Sequence, residues 1–152
     1  MGFLSIIRGL FSSQETVAAE FRDHLGKSVE LVEDDLASIR ENLESGLWDN
    51  PQWVVPVTNS LLLKSARLYL QCQAIADWIG GIAWEATFLE HSNGLLGVLV
   101  EMARMERDCA ERMRAIGSGD GCRTECMRAH KRLTEVAGAL RKDLDQFPSV
   151  TR

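Results

Sequence analysis

The chain has 152 residues, a formal net charge of −5, 45% hydrophobic and 26% charged residues, a composition that excludes disorder and collagen-like repeats. A single domain of this length buries roughly 70% of its unfolded surface. The acidic balance also excludes general nucleic-acid binding, which needs a surplus of Lys and Arg against phosphate.

Prolines occur only at 51, 56 and 148, and β-branched alternation is scarce, so the predicted fold class is all-α. The expected architecture is four-helix-bundle-like with a short N-terminal amphipathic helix. Residues 1–13 read as that arm and 14–148 as a single helical-bundle domain. On a helical wheel Phe3, Leu4, Ile7, Leu10 and Phe11 share one face, and Ser5, Arg8, Gly9 and Ser12 lie opposite. Three turns are too few to be stable alone in water. The five apolar residues are therefore candidate partner-binding residues. They would bury in the bundle itself, in a protein partner, or, through residues 1–12, in a membrane surface as a peripheral contact.

Residues 15–46 form the clearest helix. Ala18, Phe21, Leu25, Val29, Val32, Leu36, Ile39 and Leu43 recur in steps of three and four, which keeps one stripe on one face. Gly46 is a natural stop. Between Glu15 and Asp49 stand ten acids and three bases, giving a strongly negative outer face. Residues 47–56 read as a loop whose Trp48 and Trp53 fold back over the end of the bundle. A second helix is expected over 57–79, capped by Thr58 or Ser60 and closed at Gly80-Gly81. A third is expected from about Ile82 to Ile116, with a break at Ser92-Asn93-Gly94. Gly117, Gly119 and Gly121 mark a turn, because three clustered glycines disfavour helix. The last helix is predicted over 122–147, with Cys122, Cys126, Leu133, Val136, Ala137, Leu140, Leu144 and Phe147 facing inward.

Charge is distributed unevenly. Residues 57–100 contain two bases and three acids, whereas 101–145 contain ten bases and nine acids. A bundle helix normally carries a charged outer face. The middle segment lacks one, so either the other helices enclose it or another chain covers it. The expected partner is therefore a protein, the chain itself as a homo-oligomer, or both. A secretory leader would need a basic start and an unbroken apolar run, and Arg8 interrupts this one. The four cysteines do not suit a secreted disulfide framework, and cytoplasmic localisation is expected.

Three constellations could carry chemistry. Cys122, Cys126 and His130 recur at i, i+4 and i+8 on one helix face, and a hairpin about Gly119 brings Cys109 towards Cys126 and His130. Thiolates and imidazole suit zinc, but i to i+8 spans about 12 Å along a helix axis. A smaller set of Cys109, Cys126 and His130, or a reversible Cys109–Cys126 disulfide, is easier to build. The plain reading is that these cysteines are small buried hydrophobes and that no cofactor is bound. Secondly, Arg123 and His130 are spaced R-x6-H in a small helical chain. That pair resembles the HEPN ribonucleases, whose Arg and His act together on an RNA phosphate and ribose hydroxyl. The resemblance implies a catalytic pair at Arg123 and His130. It covers those two residues alone, and Thr124 stands where the family usually has Asn, Asp or His. The third is the amphipathic arm. Since other catalytic templates are absent, the expected role is a non-enzymatic adaptor or inhibitor acting through helical surfaces.

Deletion of residues 2–11 is expected to leave helical content and the melting transition nearly intact, while weakening self-association, partner binding or liposome binding. An unfolded deletion variant would make the arm an integral core helix.

Overall fold

The computed structural model describes residues 14–82 and 85–147. The predicted arm, with Phe3, Leu4, Ile7, Leu10 and Phe11, lies outside the described residues. Four long helices form: α1 (Gln14–Glu44), α2 (Pro51–Ile82), α3 (Ala86–Ile116) and α4 (Asp120–Asp145). The fold class is all-α and four-helix-bundle-like, with no strand among the described residues. Helix α1 packs against α2 and α4, and α3 packs against the same two from the opposite corner. Contact between α1 and α3 is light, which makes them the diagonal pair.

The stripe on α1 lies in the core from Ala18 to Ile39, with Leu43 half-buried at its end. Asp35 departs from the expected acidic outer face and is buried. The segment 47–56 is not a loop. Leu47–Asp49 form a 3-10 turn, and α2 already starts at Pro51. Asn50 explains the early start: its side-chain oxygen accepts the Gln52 N–H at 3.0 Å, capping a helix whose first residue is proline. Pro56 sits in the second turn and forfeits only one backbone hydrogen bond there. Trp48 is buried, with its indole N–H donating to the Asn42 carbonyl at 3.0 Å. Trp53 does not fold back and remains 60% exposed.

The expected break at 92–94 is also absent. Ser92 is fully buried and donates its hydroxyl to the Phe88 carbonyl at 2.8 Å, so the side chain satisfies itself within the helix. Thr58 does the same to Val54 and is no cap. Gly80 and Gly81 are absorbed into the last turn of α2. The glycine turn does form, with positive φ at Gly117 and Gly119. Gly119 also donates its N–H to the Trp48 carbonyl, which ties the two connections at this end together.

The core has two parts. At the turn end, Ile39, Trp48, Leu61, Met113 and three cysteines cluster. The larger part runs to the opposite end and closes on Phe147. The Phe147 ring centroid lies 4.9 Å from that of Phe21 and 5.2 Å from that of Phe88, and His91 stacks on it at 5.1 Å. The Arg22 guanidinium donates to the Phe147 carbonyl, anchoring the chain just past α4 to α1. Phe147→Ala should lower unfolding free energy by about 3–5 kcal/mol, because the cavity is walled by two helices and cannot collapse. Trp53→Ala should change it by about 0.5 kcal/mol or less. Urea titrations of both variants check this contrast.

Candidate functional site

Helices α2 and α3 cross at small residues. The Ser65 hydroxyl donates to the Ala103 carbonyl at 2.8 Å, so the two backbones approach closely there. Close approach leaves the longer neighbours standing as walls. Leu62, Tyr69 and Leu70 from α2 and Val100 from α3 border a groove of about 550 Å³, with Ser65, Ala66 and Ala103 as its floor. Arg104 and Arg107 stand at its rim. Next to it, Leu63 is 73% exposed, Leu70 64% and Tyr69 53%. The charge-poor middle segment is thus only partly enclosed: Leu61, Leu68, Ile79 and Phe88 are buried, while Leu63 and Leu70 are not.

Inside the bundle α3 and α1 hold a pair of carboxyl groups. Glu106 of α3 has no exposed surface, and Asp35 of α1 is nearly as buried. Burial raises the Glu106 carboxyl to about 8, and the negative charge of Asp35 adds to the rise. Burial raises Asp35 as well, against the cations of Lys64 and Arg67. Those two reach the Asp35 carboxylate at 3.9 and 3.6 Å. Neither Glu106 oxygen makes a well-formed hydrogen bond. Both shifts favour a proton held on this carboxyl pair, with two basic residues of α2 beside Asp35. Periodicity placed Asp35 on the acidic helix but gave no sign that it points inward. A single acid at a core position of α3 was the available signal for Glu106.

The thiols gather as the hairpin suggested. Cys109 of α3 and Cys126 of α4 are buried neighbours, and the Cys109 thiol faces the Met113 thioether and the Glu125 carbonyl, each at 3.7 Å. The interaction between the two thiols, with burial, pushes the Cys109 thiol up, and the same interaction lowers Cys126. His130 is only half-buried, and its carbonyl accepts the Thr134 hydroxyl. No three side chains drawn from His, Cys, Asp and Glu are grouped to hold a metal ion among the described residues. The zinc set of Cys109, Cys126 and His130 is accordingly not assembled. Arg123 is exposed and directs its Nε–H to the Leu43 carbonyl at 3.3 Å, a contact that joins α4 to the end of α1. Two helical turns separate it from His130.

No family model, curated protein or solved structure matches the chain. Among the described residues, no helix is long and apolar enough to cross a membrane.

The carboxyl pair has a clear pH signature. Glu106 rises from its ordinary 4.5 to about 8 on folding, so the folded state binds its proton more tightly than the unfolded state. Stability should fall as pH rises from about 4.5 to about 8 and level off above that range. Glu106→Met should remove most of this slope and stabilise the fold by about 1–4 kcal/mol at pH 8, because it replaces a buried acid by an apolar chain of similar volume. Denaturant midpoints at pH 5 and pH 8 for both proteins measure it.

Proposed function

We propose that this chain is a non-enzymatic helical interaction protein, of the adaptor or inhibitor kind, whose main contact surface is the α2–α3 face. The observation that carries the reading is the exposure of Leu63, Tyr69 and Leu70 beside an apolar groove of about 550 Å³. Contiguous apolar surface rimmed by polar residues is characteristic of protein interfaces. A groove between two helices fits an amphipathic helix, which would set its apolar anchors against Leu62 and Val100. Its occupant is a protein partner or a second copy of this chain. The apolar residues Phe3, Leu4, Ile7, Leu10 and Phe11 supply a second contact in the same role. General nucleic-acid binding has no place in the reading, since the groove is apolar and the chain is acidic. Cytoplasmic localisation belongs to the same proposal.

Light scattering at micromolar concentration is expected to give a mass above the 17.0 kDa of one chain. The double substitution Leu63→Asp, Leu70→Asp should return the mass to that of one chain with little change in melting temperature, since both side chains are exposed. A wild-type protein already at 17.0 kDa removes self-association from the proposal.

A further inference from the structure

Four sulfur atoms converge at the turn end of the bundle. Cys109 and Met113 are one turn apart on α3, and Cys122 and Cys126 are one turn apart on α4. Two i, i+4 pairs on facing helices present their side chains to one another. All four residues are buried in one cluster. The Cys109 sulfur lies 3.7 Å from the Met113 thioether, and Cys126 neighbours it from α4. Cys122 donates to the Met113 carbonyl at 3.4 Å, a closer backbone contact than the 3.7 Å between the Cys109 thiol and the Glu125 carbonyl.

We propose that Cys109, Cys126 and Met113 form a three-sulfur site for a soft monovalent cation, copper(I). Three sulfurs in a plane around an ion, each about 2.3 Å from it, stand roughly 4 Å from one another. The observed 3.7 Å between Cys109 and Met113 is close to that separation. Thiolate and thioether donors select copper(I), whereas structural zinc wants four donors, for which the half-buried His130 is not in position. A small cavity of about 70 Å³, lined by Val54, Thr58, Asn59 and Gly117 among others, borders Met113. Arg114 also lines that cavity, and its positive charge would offset the single negative charge that a copper(I) bis-thiolate carries, whereas Arg112 is paired with Glu125 at 3.5 Å.

Binding involves no electron transfer. Two copper–thiolate bonds form, two S–H bonds break with both protons released to solvent, and the Met113 sulfur donates a lone pair.

The test is anaerobic titration of the full, reduced chain with copper(I) in the presence of bicinchoninate, whose coloured copper(I) complex reports the free ion. The wild-type protein should bleach the complex up to one equivalent per chain. Cys109→Ser and Cys126→Ser should each abolish that withdrawal, Met113→Leu should weaken it about tenfold or more, and Cys72→Ser should leave it unchanged. X-ray absorption of the wild-type complex should show sulfur neighbours alone, which holds whether or not a variant folds. Failure of the wild-type chain to withdraw copper(I), withdrawal that survives both serine substitutions, or nitrogen and oxygen neighbours would each overturn the proposal.

Discussion

Helix α2 carries apolar side chains around most of its circumference, and a four-helix bundle can cover only one side of it. Leu61, Leu68, Cys72 and Ile79 take the covered side. Leu63, Tyr69 and Leu70 are left on the other. The helix has only Lys64, Arg67 and Asp77 as charges along 32 residues, and Lys64 and Arg67 turn towards Asp35. The outer face therefore stays apolar. The small crossing residues Ser65 and Ala103 then shape that face into a groove rather than a flat patch.

The interior is polar where α2 and α3 meet α1. A fully buried Glu106 without a well-formed hydrogen bond is costly, since a carboxyl group loses its hydration without full replacement. Protonation limits that cost by keeping the group neutral beside Asp35. Asp35 stays tied to α2 through Lys64 and Arg67, so the diagonal pair and α2 share one electrostatic cluster directly behind the groove. Rotating α2 to bury Leu63 would pull both cations away from Asp35. The acid cluster thus favours the orientation in which the apolar face remains outside.

Much of this fold is legible in the sequence. The α1 stripe reads directly, because steps of three and four have no other regular interpretation. The glycine turn reads equally well, since Gly117 and Gly119 both take positive φ. The boundaries of α2 do not. Pro51 and Pro56 suggest a loop until Asn50 is seen as a cap, and capping depends on a side-chain geometry that periodicity does not encode. Ser92 misleads in the same way: a polar residue beside Asn93 and Gly94 resembles a break, yet its hydroxyl bonds to the preceding turn. The groove was legible only as a shortage of charge in 57–100. Which apolar residues would be left outside depends on how α2 is rotated, and the Asp35 cluster that orients it joins three helices distant in sequence.

The proposed contact surface would place a protein over the outer face of α2. Covalent footprinting with a carbene probe reads it directly, comparing the purified chain with the assembly recovered from its native source. Labelling of Leu63, Tyr69 and Leu70 should drop sharply in the assembly, while the exposed acids of α1 keep their labelling. Equal labelling of these three residues in both samples would contradict the account.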